Sequence, residues 1–158
     1  MKLEHPEFEP WYREVGRLLV HFGTIEWATR KLLSRSDVLE ALGIGRVPRN
    51  LVPRIDACEQ YMLSELPRSS VTEQQITNVC EDARSFARDH RNPVGHGTTL
   101  STIFVNESDD ISAVEMRFHD SGAVDQSFTI DELRTLADRA LAVSHAWVTM
   151  WLDFDRPD

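Results

Sequence analysis

Apolar residues recur along the first part of the chain in alternating steps of four and three: Trp11, Val15, Leu18, Phe22, Ile25, Thr29 and Leu32. That spacing keeps one face of an α-helix apolar. Pro10 suits a first turn, where its missing N–H costs nothing. The pattern predicts a long first helix ending before Gly43, with Gly43–Pro53 as a loop. A shorter helix follows, with Ile55, Cys58, Tyr61 and Met62 inward, ending near Pro67. Thr72 with Gln75 three residues on is a capping-box pattern for a third helix. Its apolar side runs through Ile76, Val79, Cys80, Ala83, Phe86 and Ala87 to His90. Pro93 disfavours helical geometry at Asn92, so this helix stops or kinks there.

After Gly97 the period changes from 3.6 to 2. Leu100–Val105, Ala113–Phe118 and Val124–Phe128 alternate or run β-branched, separated by the turn-rich Asn106–Asp110 and Asp120-Ser121-Gly122. These predict a three-stranded antiparallel meander over about residues 98–128. Thr129 and Glu132 then form a second capping box, with Phe128 and Leu133 placed as a hydrophobic staple. The last helix carries Leu133, Leu136, Ala140, Val143, Trp147, Met150 and Phe154. The expected architecture is mainly α: three helices, an inserted small meander and a long C-terminal helix.

Composition narrows the class more than the function. The 158 residues suit a single domain, 1–158, with a sizeable core, and 41% apolar with 27% charged residues is ordinary for a globular protein. No apolar run reaches the length of a membrane span, and the first residues lack a secretory pattern, so the expected setting is cytoplasmic with no membrane partner. Cys58 and Cys80 lack metal or redox spacing and read as buried apolar residues. The net charge of −9 is uneven: residues 1–100 balance at −1 and residues 101–158 at −8. Local basic clusters, not this sum, decide whether a polyanion approaches.

The chemistry concentrates at Arg91-Asn92-Pro93-Val94-Gly95-His96-Gly97. A planar guanidinium fork suits phosphate, and an imidazole moves protons near neutral pH. Carboxylates are missing from the segment, which makes it a poor metal site, and no metal or cofactor is expected. Each residue also has an ordinary role, as a helix-end cation, a turn residue or a chain-reversing glycine. Arg84, Arg88 and Arg91, at i, i+4 and i+7, form a stripe leading to the segment. It reads either as a phosphate track or as charges neutralised by Glu81, Asp82 and Asp89. Glu26, beside the apolar stripe of the first helix, is either a solvated flank residue or a partner orienting Arg91 or His96. His21, His119 and His145 lie on separate elements without ligand spacing. Gly16 and Gly23, seven apart on the first helix, and His90 on an apolar face suit a surface made for a second copy.

The spacing of Arg91-Asn92 and His96 resembles the R-x4-6-H motif of HEPN domains, which are helical bundles with this motif near a helix end. The His21-Phe22-Gly23-Thr24-Ile25-Glu26-Trp27 helix is similar to bacterial members. The resemblance implies metal-independent RNA cleavage, of the kind found in toxin–antitoxin or antiviral systems, by a homodimer whose two motifs line one cleft. Arg91, Asn92 and His96 would be catalytic, with Arg84 and Arg88 guiding RNA. Partners would be RNA or a nucleotide, a second copy, and an antitoxin or other neighbour-encoded protein. The meander, Pro93 and the acidic C-terminal part depart from the family pattern. The alternative is a non-catalytic module that binds a nucleotide or a partner protein, for which Trp147 and Trp151 on the last helix offer apolar surface.

Overall fold

The computed structural model describes residues 8–66, 71–91, 98–105, 111–119 and 126–154; for 90–91, the first two strands and 126–127 the description is of the backbone. The chain is mainly helical. Helix α1 spans Glu9–Leu33, α2 Ser36–Ala41, α3 Leu51–Ser64 and α4 Glu73–Phe86, which passes into a π-helical turn at Ala87–Arg91. Strands β1 (Thr98–Val105), β2 (Ile111–His119) and β3 (Gln126–Phe128) pair antiparallel in the order β1-β2-β3. Helix α5, Ile130–Phe154, closes the fold.

The two 25-residue helices form its frame. Arg17 meets Asp138, His21 meets Ser144 and Trp27 meets Trp151. Both numbers rise together, so α1 and α5 lie side by side and parallel. Helix α4 runs the other way along α5: Val71 shares a groove with Met150 and Asp153, whereas Arg139 lies over the Phe86 ring at 5.4 Å. One apolar cluster joins the C-terminal halves of α1 and α5 to α2, α3 and α4, with Ile25, Leu33, Ile55, Met62, Ile76 and Trp147 all but inaccessible. A second gathers Trp11, Leu18, Phe22, Phe86, Leu133 and Ala137, where Phe22 and Phe86 stack at 4.9 Å.

Both predicted capping boxes form. Thr72 accepts from the Gln75 backbone N–H at 3.3 Å, and the Gln75 side chain accepts from the Thr72 N–H at 2.8 Å. Glu132 Oε2 accepts from the Thr129 N–H at 2.6 Å. Phe128 packs against the second cluster, to which Leu133 belongs, and so fixes the sheet's last strand to the bundle.

The first helix is shorter than its sequence suggests. It ends at Leu33, where the Ser34 hydroxyl donates back to the Arg30 carbonyl at 2.6 Å, and α2 restarts after an extended Arg35. Leu33 and Val38 are both fully buried. In one uninterrupted helix, at about 100° per residue, Val38 would point roughly opposite the core. The break brings it inward. Helix α3, in turn, starts at Leu51 and not after Pro53, because a first turn accommodates proline. Cys58 and Cys80 are free and fully buried. No helix among the described residues is long and apolar enough to cross a membrane.

Candidate functional site

Arg91 is the last residue of the π-helical turn that follows α4. Asn92 and His96, and with them Pro93, Gly95 and Gly97, lie outside the described residues. The turn has a definite setting. Ala83, Phe86 and Ala87 are buried, which pins the end of α4 against α1 and α3. A π turn spaces its hydrogen bonds i to i+5, is rare, and occurs often at functional sites. It also alters the arginine stripe. The i, i+4, i+7 alignment holds only for continuous α-geometry, which ends at Phe86; Arg88 and Arg91 follow the wider turn.

Arg84 is not set out as a phosphate ligand. Its Nη1 donates to Asp56 at 3.0 Å and to Glu59, and its Nη2 reaches Glu59 at 3.4 Å. Both carboxylates come from α3. The Glu59 hydrogen bond raises the guanidinium pKa above its already high ordinary value, with Asp56 adding to it against the opposing effect of burial. The neutralising acids are therefore not those interspersed on α4 itself; Asp89 accepts from Ser85 at 3.0 Å instead. Arg88 is exposed. Of the expected guiding pair, Arg84 is engaged by two carboxylates and Arg88 faces solvent.

Glu26 is half-buried on α1. Its backbone carbonyl accepts from Arg54 Nη1 at 3.2 Å, and with Gly23, Trp27 and Arg30 it borders a hollow on the outside of α1. Arg54 is 2% exposed, and it also donates from Nε to the Asn50 carbonyl at 3.4 Å. It thus ties the start of α3 to the middle of α1. Sequence reading overlooked it because an arginine beside Ile55 gives no sign that its head is buried.

A second polar cluster, between α1 and α5, also went unread. Glu14 is 5% exposed. It accepts from Arg17 Nη1 at 2.6 Å, with Arg134 Nε at 3.9 Å, and Arg17 donates on to Asp138 at 2.5 Å. The available signal was the position of Glu14 four residues before Leu18, inside the apolar stripe. One turn along, His21 Nδ1 lies 3.3 Å from the buried Ser144 hydroxyl, which also donates to the Leu141 carbonyl at 3.0 Å. Burial, and then the Arg17 charge, lower the His21 pKa below its ordinary value. These groups satisfy one another and join two helices. They also neutralise part of the acidity of α5, since Asp138 faces Arg17 and Asp131 faces Arg134.

His145 is exposed on α5. Among the described residues, no group of three histidine, cysteine or carboxylate side chains is placed to hold a metal ion. Trp147, expected to offer apolar surface, is 1% exposed in the core. Trp151 is half-covered and meets Trp27 edge-on at 5.7 Å. Among the described residues the exposed large apolar ones are others: Tyr12, Leu19, Val20 and Trp27 on α1, with Leu141 and Leu152 on α5. No family model, curated protein or solved structure matches the chain.

Proposed function

We propose that the chain is a metal-independent endoribonuclease of the HEPN type, in the setting of a toxin or antiviral-defence component, with Arg91, Asn92 and His96 as its reacting groups. One observation carries the reading: α4 passes at Phe86 into a π turn that ends on Arg91, at the head of the Arg91–His96 segment. Such turns are characteristic of functional positions in helices. The exposed Arg88 on the same turn adds a cation for RNA.

In this reading the ribose 2′-oxygen attacks the adjacent phosphorus and the bond from phosphorus to the 5′-oxygen breaks. The products are a 2′,3′-cyclic phosphate and a free 5′-hydroxyl. His96 takes the 2′-OH proton or gives one to the departing 5′-oxygen, Arg91 stabilises charge growing on the phosphoryl oxygens, and Asn92 holds the phosphate or the imidazole. RNA and a second copy of the chain are the partners, and the reaction needs no cofactor.

The test is cleavage of RNA in EDTA, with 2′,3′-cyclic phosphate ends as product and loss of cleavage in His96→Ala with unchanged circular dichroism. Cleavage that needs a divalent ion, or that survives His96→Ala, overturns the proposal. The alternative, a non-catalytic module binding a nucleotide or protein, draws on the exposed apolar residues of α1 and α5. It prevails where the folded protein cleaves no RNA and binds a neighbour-encoded partner.

A further inference from the structure

The outer face of α1 has an unusual composition. At about 100° per residue, an arc of roughly 100° opposite the core contains, between Glu9 and Arg30, Tyr12, Gly16, Leu19, Val20, Gly23 and Trp27 alone. The four side chains are 48%, 45%, 66% and 58% exposed. A Cβ added at Gly16 or Gly23 would meet nothing within 4 Å. Neither glycine is therefore required by packing inside the chain, although each costs a helix about 1 kcal/mol relative to alanine. Leu141 and Leu152 extend the apolar surface onto the neighbouring α5 at 45% and 50% exposure.

We infer that this face is a two-fold interface in which α1 packs antiparallel on α1 of a second copy, about an axis between Leu19 and Val20. A two-fold contact must be self-complementary, and the order of residues along the arc has that property. Antiparallel pairing about this axis sets Gly16 at the level of the partner's Gly23, where two missing side chains let the backbones approach. Tyr12 comes to the level of the partner's Trp27. Leu19 and Val20 meet their own counterparts at the axis. At each end Glu9, which its own Arg13 holds at 2.8 Å, comes to the level of the partner's Arg30, so charges of opposite sign face each other where the apolar stretch stops.

Size agrees with a stable contact. The arc from Glu9 to Arg30 is about 32 Å long, and with Leu141 and Leu152 widening it onto α5 it approaches the about 800 Å² per partner of a standard interface. The interface shares with the ribonuclease reading only the second copy. The Phe22–Phe86 stack lies on the opposite side of α1, so this contact does not bring the two α4 ends together, and it stands whether or not RNA is cleaved.

Sedimentation equilibrium of the full chain at micromolar concentration tests it. The wild type is expected at twice the 18.1 kDa chain mass. Val20→Arg sets two cations against each other at the axis and is expected to sediment as a single chain with unchanged circular dichroism. Gly16→Ala with Gly23→Ala should raise the thermal stability of the single chain and weaken the dimer, a pair of opposite signs that a merely structural glycine would not give. Glu9→Arg should weaken the dimer by about tenfold at low salt, with Arg30→Glu in the same chain restoring it. A wild-type chain that stays single at 100 micromolar overturns the inference, as does a dimer untouched by Val20→Arg.

Discussion

Arg84 on α4 and Glu59 on α3 are held together, Nη1 and Nη2 of the arginine both addressing the one carboxylate while Asp56 shares Nη1. Their side chains are 19% and 16% exposed, so this is a half-buried pair that a surface estimate of ion-pair strength understates. It makes Arg84 and Arg88 different in kind. Removing the Arg84 guanidinium leaves Glu59 short of its partner, and Arg84→Met is expected to lose about 1–3 kcal/mol of stability by urea unfolding. Arg88→Ala, at an exposed position, should change stability by no more than about 0.5 kcal/mol. RNA affinity should reverse the order: Arg88→Ala weakens it and lowers the salt slope by about 1, whereas Arg84→Met leaves that slope unchanged. A stable Arg84→Met protein that fails to bind RNA would return Arg84 to the phosphate track.

His21 gives the fold a pH dependence of known sign. Its pKa is lowered in the folded chain, first by burial and then by Arg17, so the unfolded chain binds the proton more readily. The stability associated with the neutral imidazole is complete above the ordinary histidine pKa of about 6.5 and declines as pH falls through the lower folded value. The urea midpoint of the wild type should therefore drop between about pH 7 and pH 5. His21→Gln, which keeps a polar partner for Ser144, should flatten the curve over that interval. An equal drop in both proteins would place the titration elsewhere.

Elements whose signals are local were legible in the sequence, and those that depend on a distant partner were not. Thr72 and Thr129 announced their helix starts because a capping box closes within four residues. The break at Ser34–Arg35 has no glycine or proline to mark it; it exists because Val38 must reach a core that only the folded chain defines. Arg84 looked like part of a phosphate track because its acids are 25 and 28 residues away on α3. At the site, the proline rule bears on Asn92, which lies outside the described residues. The π turn that ends on Arg91 escaped notice, since nothing in Ala87–Arg91 distinguishes i to i+5 bonding from an ordinary last turn.

The two capping boxes should respond differently to acid. Thr72 exchanges bonds with the amide of Gln75, which does not titrate. Thr129 exchanges them with Glu132, whose pKa is lowered by the Thr129 backbone N–H and then by its hydroxyl. The contribution of the second box is present above the ordinary carboxylate pKa and is lost as pH falls through the lower folded value. Thr72→Ala is expected to cost about 1 kcal/mol at pH 7 and at pH 3 alike. Thr129→Ala should cost less at pH 3 than at pH 7, and Glu132→Gln should abolish that difference. Parallel urea titrations at the two pH values read it directly.

Cys58 and Cys80 should be chemically silent in the folded chain. Both are fully buried. Burial pushes each thiol up, Cys80 to about 12 with Glu59 adding to the effect, and Cys58 further, with Cys80 nearby. Cys58 Sγ also donates to the Thr29 carbonyl at 3.7 Å, across the α1–α3 contact. The thiolate is the reactive form, so iodoacetamide at pH 8 should label neither residue in the native protein and both in urea. Because the thiols sit between α1, α3 and α4, native labelling should proceed only at the rate at which those helices separate, and it should accelerate in Arg84→Met, which loosens the α3–α4 contact. Rapid labelling of the wild type at the rate of a free cysteine would mean that this part of the core is open to solvent.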